Sequence, residues 1–104
     1  MMKVLKDYQG RDVRLTAERR AHILEHPEMS ALEAALEETL RRPQLVIQSR
    51  SDAGAELNYR YYVGTRVGDK WLCIVVKYAP NDAFVVTAYL TDKPKKGIQL
   101  WPNQ

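Results

Sequence analysis

Residues 82–93 read DAFVVTAYLTDK, and this stretch has the alternation of a β-strand. A side-chain period of two separates an apolar set from a set that carries hydroxyl groups. The apolar set is Phe84, Val86, Ala88 and Leu90, and the opposite set is Val85, Thr87, Tyr89 and Thr91. The first set predicts a strand face that builds the core. The second leaves open whether Thr87 and Tyr89 lie on a solvated face or on the floor of a site.

Three further strand-like segments precede this stretch and are separated by short polar turns. They are QLVIQSR at 44–50, LNYRYYVGT at 57–65 and KWLCIVVKY at 70–78. The turns carry the glycine, proline, asparagine and aspartate residues that favour chain reversal. Four consecutive strands joined in this way predict an antiparallel meander.

The N-terminal half predicts a hairpin and two helices. Residues 3–15, KVLKDYQGRDVRL, suit two short strands around a turn at Gln9-Gly10. Thr16 is placed to cap a first helix over AERRAHILEH at 17–26, because Pro27 disfavours its continuation. Ser30 and Glu33 have the spacing of a capping box for a second helix over ALEAALEETLRR at 31–42.

These elements define the expected architecture. The sequence predicts an α+β fold in which the N-terminal hairpin and two helices pack on one face of a curved antiparallel sheet of four to six strands. Leu100 and Trp101 are expected to pack against this body, whereas Lys93, Lys95 and Lys96 stay solvated. A length of 104 residues suits a single domain over 1–104.

Composition indicates the class of protein, its expected location and the charge of its partners. With 45% hydrophobic and 28% charged residues, the chain is of the globular type, and it has no apolar run long enough to span a membrane. The N-terminal MMKVLKDYQG becomes charged too early for a signal peptide, so a cytoplasmic location is expected. The net charge of +3 permits an anionic partner without requiring one.

Matching the apolar faces of the strands predicts which side chains share the other face of the sheet. That face would collect Asn58, Arg60, Tyr62, Lys77, Thr87 and Tyr89, with Gln48 and Arg50 joining from the preceding strand. Arg60 could offer a planar fork to phosphate oxygens and Lys77 a point charge, while hydroxyls orient the group. The alternative is an ordinary solvated sheet face, where these residue types are common cross-strand partners.

The two histidines lie four residues apart in RAHILEHPE and therefore share one helical face. One interpretation is that one histidine packs and the other caps the helix. A second is metal binding, because His22, Glu25 and His26 match H-x-x-E-H, although the chain offers little room for a third ligand. A third is that His22 or His26 acts as a general acid or base in phosphodiester cleavage.

The ordered set of HILEHPE, VIQSR, YRYY, a strand ending VVK, FVVTAYLTD and a Lys-Gly segment closing on Trp101 resembles the phage-associated branch of the Barnase-EndoU-Colicin-RelE-like nucleases. The resemblance covers about residues 15–101. It implies a metal-independent ribonuclease fold, found in toxins and mobile elements, with helices on one side of the sheet and RNA on the other. The positions that match the pattern are His22, His26, Lys77, Thr87 and Tyr89, with Arg60 a weaker match.

The resulting hypothesis is an endoribonuclease that uses 2'-hydroxyl transesterification and needs no cofactor. His22 or His26 transfers protons, Lys77 and Arg60 stabilise the phosphorane, and Thr87 and Tyr89 orient the phosphate. The expected RNA-binding residues are Arg50, Asn58, Arg60 and Tyr62, the last by stacking on a base. An inhibitor protein is a second possible partner. The alternative is a non-catalytic RNA- or protein-binding module, and Cys73 is expected to be a buried hydrophobe rather than a nucleophile.

Overall fold

The computed structural model describes residues 2–103 and has an α+β architecture. Its elements are β1 (Lys3–Lys6), β2 (Asp12–Leu15), α1 (Ala17–Leu24), a 3-10 turn (Pro27–Met29), α2 (Glu33–Arg41), β3 (Leu45–Gln48), β4 (Ala55–Thr65), β5 (Gly68–Ala79), β6 (Asp82–Thr91) and β7 (Ile98–Trp101). The α+β class and the two helices are therefore confirmed. No helix within residues 2–103 has the length and hydrophobicity needed to cross a bilayer.

The strands form a single seven-stranded sheet in the order β1-β2-β6-β5-β4-β3-β7. The predicted meander from β3 to β6 is confirmed, with every neighbouring pair antiparallel. The placement of the N-terminal hairpin was wrong, because β1 and β2 extend the sheet instead of packing on its face. β2 runs parallel to β6, where Arg14 pairs with Phe84, and the Arg14 guanidinium donates to the Asp82 carboxylate at 2.9 and 2.5 Å.

Local signals explain where the helices begin. The Thr16 side chain accepts a hydrogen bond from the Arg19 backbone N–H at 3.1 Å, so the predicted N-cap of α1 is confirmed. The predicted capping box of the second helix was wrong. The chain first forms the 3-10 turn, and the Ser30 hydroxyl donates back to the Pro27 carbonyl at 3.0 Å. Consequently α2 begins only at Glu33.

The helices cover one side of the sheet, which we call the helix face. α1 packs on β6, and α2 packs on β1, β4 and β5. The buried side chains of this layer form one apolar cluster: Leu5, Val13, Leu15, Ile23, Met29, Leu36, Leu40, Leu72, Ile74, Val76, Val85 and Ala88. This cluster is the main core of the fold.

The opposite side of the sheet is also partly buried. β6 and β7 are separated by three strands, so residues 92–97, which we call the crossover, must pass over β5, β4 and β3. The Lys95 backbone N–H donates to the Tyr59 hydroxyl at 3.0 Å and ties the crossover to this side, the crossover face. Beneath it lies a second apolar cluster: Ile47, Leu57, Tyr59 and Cys73, flanked by Leu45, Trp71, Val75 and Tyr89.

The two faces of β4 are the reverse of the prediction. Tyr59 pairs with Cys73 on the crossover face, whereas Asn58 pairs with Ile74 and Arg60 with Leu72 on the helix face. The predicted grouping of Asn58, Arg60 and Tyr62 with Lys77 on one face was therefore wrong. The physical reason is that both sides of the central sheet are covered, so the more apolar set of β4 was not the set that meets the helices.

A bulge in β6 also changes the strand with which the sequence analysis began. Val75 pairs with Thr87, but the next residue, Val76, pairs with Val85, so Val86 is an extra residue on this strand. The alternation is thereby reversed toward the start of β6. Val85 is buried in the helix-face core, and Phe84 pairs with Lys77 on the other side. Thr87 and Tyr89 lie on the crossover face, as expected for the side away from the helices.

Candidate functional site

The crossover face carries the polar groups that the strands bring together. Direct cross-strand partners form rows, one of Tyr59, Cys73 and Tyr89, the next of Leu57, Val75 and Thr87, and a third of Ala55, Lys77 and Phe84. Adjacent strands are about 4.8 Å apart, so neighbouring members of a row are in contact range. Lys77, Thr87 and Tyr89 are therefore brought to one surface, as predicted, but Arg60, Asn58 and Tyr62 are not.

Lys77 is held at the edge of this surface by the loop that follows β3. Its ammonium group donates to the Asp52 carboxylate at 2.5 Å. This hydrogen bond, together with one from the Gly54 backbone N–H, lowers the pKa of Asp52 below its usual value. A Cβ atom on Gly54 would lie 2.9 Å from the Lys77 Nζ, so a larger residue there would push against the lysine. Lys77 can bind an anion only by leaving or sharing Asp52.

A depression beside this pair gathers three cations. It is lined by Ser49, Arg50, Ser51, Leu57, Lys95 and Lys96, and we call it the basic pocket. Arg50 comes from the loop after β3, whereas both lysines come from the crossover, and all three side chains are exposed. Within residues 2–103 none of the three forms an ion pair with a carboxylate, unlike Lys77. Their positive charge is therefore available to a ligand.

Tyr89 and Cys73 are parts of the interior rather than exposed reactive groups. Burial is the main cause that raises the pKa of Tyr89, and it also raises the pKa of Tyr59 to about 12. Cys73 is fully buried between these tyrosines, which raises the pKa of its thiol to about 11. Such a thiol is protonated at neutral pH, so it is not an activated nucleophile. Thr87 on the same surface is half-buried.

The three predicted RNA-binding residues of β4 make contacts on the helix face instead. Arg60 donates to the Arg42 carbonyl at 2.8 Å, at the end of α2. The Tyr62 hydroxyl donates to the Glu38 carboxylate at 2.7 Å, and burial raises its pKa to about 12. Asn58 is fully buried and donates to the Ile74 carbonyl at 3.3 Å. These contacts replace the phosphate and base contacts expected from the sequence.

His22 lies on the exposed side of α1, and His26 lies just beyond the end of this helix, which stops at Leu24 and not at residue 26 as predicted. Both histidines lie away from the crossover face. Both side chains are exposed, and their ring centroids are 6.2 Å apart in an edge-to-face arrangement. A shallow groove on α1 is lined by Glu18, Arg19, Ala21, His22 and Glu25. The structure thus brings the two histidines to each other and His22 to Arg19, but it brings neither histidine to Lys77. Among residues 2–103 no three His, Cys, Asp or Glu side chains converge as metal ligands.

Lys93, Lys95 and Lys96 are exposed, as predicted, but the sequence did not indicate that Lys95 and Lys96 lie beside Arg50. The run DKPKK at 92–96 concentrates charge, but its position depends on the crossover. A chain segment that passes over a sheet brings its side chains to residues more than forty positions away. The basic run itself was visible in the sequence, but the separation of β6 and β7 in the sheet was not.

A second polar cluster joins the β1–β2 hairpin to Glu56 of β4 and Tyr78 of β5 on the helix face. The Asp7 carboxylate is 2% exposed and accepts hydrogen bonds from the Arg11 Nε at 2.7 Å and the Tyr78 hydroxyl at 2.6 Å. The Arg11 guanidinium stacks 4.1 Å from the Tyr78 ring centroid and also reaches Glu56, 3.4 Å away. Burial raises the pKa of both Glu56 and Tyr78. The groups satisfy one another, which is the arrangement of a structural anchor.

Comparison with known proteins does not assign a function to these sites. The chain matches no protein-family model, no curated protein and no solved structure. The candidate sites are therefore the two surfaces described above, the crossover face with its basic pocket and the exposed histidine pair at α1.

Proposed function

We propose that the protein binds RNA on its crossover face, with the basic pocket in contact with the phosphates. The observation that carries this proposal is the convergence of Arg50, Lys95 and Lys96 around Ser49, Ser51 and Leu57, with no carboxylate paired to any of the three cations within residues 2–103. A phosphodiester backbone is the polyanion that such a surface suits.

The residue types in the pocket match the chemistry of a phosphate. The Arg50 guanidinium can bind two phosphate oxygens with parallel hydrogen bonds, while Lys95 and Lys96 act as point charges. The Ser49 and Ser51 hydroxyls, 3.2 Å apart, supply short donors at the same place. Contacts of this kind position a nucleic acid without reading its sequence.

Lys77 and Thr87 extend the surface beyond the basic pocket. Thr87 adjoins Val75, the cross-strand partner of Leu57, so it lies two strands from the pocket wall. Lys77 contributes less than the free cations, because a phosphate must compete with the Asp52 carboxylate for its ammonium group. We therefore assign the main electrostatic attraction to Arg50, Lys95 and Lys96 and a secondary contact to Lys77.

The salt dependence of RNA binding tests this proposal. We expect a labelled single-stranded RNA of about ten nucleotides to bind with an affinity that falls steeply between about 50 and 200 mM salt. Lys95→Gln should weaken binding and reduce the slope of log K against log salt by about 0.7, the value for one lost phosphate contact in a single strand. Fluorescence anisotropy gives both quantities.

The matched control is Lys3→Gln, because Lys3 lies on the edge strand β1 and pairs with Glu37 at 3.4 Å. It removes the same charge from the far side of the sheet and should leave the slope unchanged. Equal losses for Lys95→Gln and Lys3→Gln would mean that only net charge matters and would reject the crossover face as the RNA site. Absence of RNA binding by the unmodified protein would reject the function itself.

A second candidate function is RNA cleavage at the outer side of α1, and the spacing of the two histidines favours it. General acid–base cleavage of a phosphodiester needs two proton-transfer groups within reach of one scissile bond. His22 and His26 are exposed and their ring centroids are 6.2 Å apart, with Arg19 in the adjoining groove. In this reaction one imidazole takes the 2'-hydroxyl proton and the other protonates the leaving 5'-oxygen.

Incubation of a labelled RNA with the purified protein and EDTA tests cleavage separately from binding. If the histidine pair is catalytic, products with 2',3'-cyclic phosphate ends accumulate, and either His22→Ala or His26→Ala lowers the rate at least about a hundredfold. Because both side chains are exposed, these variants should fold normally and bind RNA on the crossover face as before. Intact RNA after prolonged incubation, together with retained binding, would leave the protein a binding module.

A further inference from the structure

An aromatic pair, one ring exposed and the other partly buried, lies beyond the crossover on the same face. Tyr61 and Trp71 are direct cross-strand partners, with ring centroids 5.3 Å apart and planes inclined by 65°. Trp71 also contacts the buried Tyr59 ring, edge-on and with the ring centroids 6.4 Å apart. Tyr61 is 42% exposed, so part of its ring is open to solvent. We call Tyr61 and Trp71 the aromatic platform.

The crossover connects this platform to the basic pocket with a line of exposed lysines. It leaves β6 at Thr91, the cross-strand partner of Trp71, and the Thr91 hydroxyl donates to the Lys93 carbonyl at 3.2 Å. It then passes over Tyr59 at Lys95 and reaches the basic pocket at Lys96. Along β4 the platform and the pocket wall at Leu57 are separated by four residues, roughly 13 Å in a strand.

We infer that the RNA bound on the crossover face is single-stranded and that one of its unpaired bases stacks on the aromatic platform. This inference rests on the proposed function. A base presents a π-face that an exposed tyrosine or tryptophan can cover, and such stacking tolerates any sequence. Phosphates following that base along Lys93, Lys95 and Lys96 lead the strand to Arg50. The positive charge of the lysines and the aromatic platform therefore both favour single-stranded RNA as the ligand of this face.

A duplex lacks the group that the platform would recognise. In a helical stem each internal base is already stacked on both faces and its edges are paired, so no face is free for Tyr61. The crossover also stands above the sheet as a ridge, with the platform on one side and Lys77 on the other. A single strand can bend over this ridge, whereas a rigid duplex would rest on it and contact only the lysines.

The experiment compares one RNA of about ten nucleotides as a single strand and in a perfect duplex, with fluorescence anisotropy as the readout. We expect the single strand to bind at least about tenfold more tightly. Tyr61→Leu should reduce that affinity by about tenfold, within the range for one lost base stack, without changing the salt slope. Tyr61→Phe, which keeps the ring, should restore it.

Tryptophan emission supplies a second measurement that folding defects cannot imitate. In a Trp101→Phe background Trp71 is the remaining tryptophan, and saturating single-stranded RNA should quench it while duplex RNA should not. Equal affinity for both RNA forms, with no effect of Tyr61→Leu, would overturn the inference but leave RNA binding intact. Failure of the unmodified protein to bind either form would instead reject the proposed function.

Discussion

Asp7→Ala is expected to lower the free energy of unfolding by about 3–5 kcal/mol, because it removes a buried carboxylate that accepts several hydrogen bonds. The Asp7 carboxylate accepts four hydrogen bonds, from the Gln9 and Arg11 backbone N–H groups, the Arg11 side chain and the Tyr78 hydroxyl. Its loss leaves these donors without an acceptor at a site that is 2% exposed. Urea denaturation of the purified variant measures the change.

Two further variants identify the cause of this loss. Asp12→Ala removes an exposed carboxylate that pairs with Lys6 on the same hairpin, and it should change stability by no more than about 0.5 kcal/mol. In the double variant Asp7→Ala with Tyr78→Phe, the orphaned hydroxyl is absent, so the combined loss should be smaller than the sum of the single losses. A cost for Asp7→Ala as small as that for Asp12→Ala would show that the cluster does not anchor the hairpin.

The second large effect is expected at Asn58, where substitution by Asp should be costly and substitution by Leu should not. The Asn58 side chain is fully buried and its Oδ1 has no hydrogen-bond partner among the described residues. Asn58→Asp places a carboxylate there with no cation and no donor, and it should cost at least about 3 kcal/mol at neutral pH. Asn58→Leu removes the unsatisfied acceptor and should be neutral or stabilising.

The pH dependence of Asn58→Asp provides the control for mechanism. Burial would raise the pKa of the new carboxyl in the folded state above its unfolded value of about 4. The destabilisation is therefore smallest below about pH 4 and grows as the pH rises from there toward the raised pKa of the folded state. Thermal unfolding at several pH values can follow this change. An equal and pH-independent loss for Asn58→Leu would contradict this account. Asn58→Leu should also leave RNA affinity unchanged, since the residue faces the helices.

Only part of the candidate site could be predicted from the sequence. Lys77, Thr87 and Arg50 were expected on the side of the sheet away from the helices, and the structure brings them to the crossover face. The grouping of Arg60 and Tyr62 with them was wrong, because Arg60 binds the end of α2 and Tyr62 binds within it. Lys95 and Lys96 lie at the site because the crossover passes over the sheet, and the alternation within one strand does not predict the path of such a segment.

Local chemistry determined the elements of this protein. Thr16 capped α1 as expected, and Gly10 has a φ of +80° at the predicted hairpin turn, a conformation that glycine adopts without steric cost. The turns between β3 and β6 lie where short polar segments interrupt the strands, so the meander could be read in order along the chain. Each of these features depends on residues close in sequence, which is why the pattern alone was sufficient.

The tertiary structure alone decided which side of each strand faces which layer. In β4 both alternating sets can be buried, the set with Tyr59 under the crossover and the set with Asn58 under the helices. Alternation reports that two faces differ but not what covers each of them. The bulge at Val86 then reversed the faces at the start of β6, the strand read first. Burial by distant segments, and not local propensity, therefore determined the site.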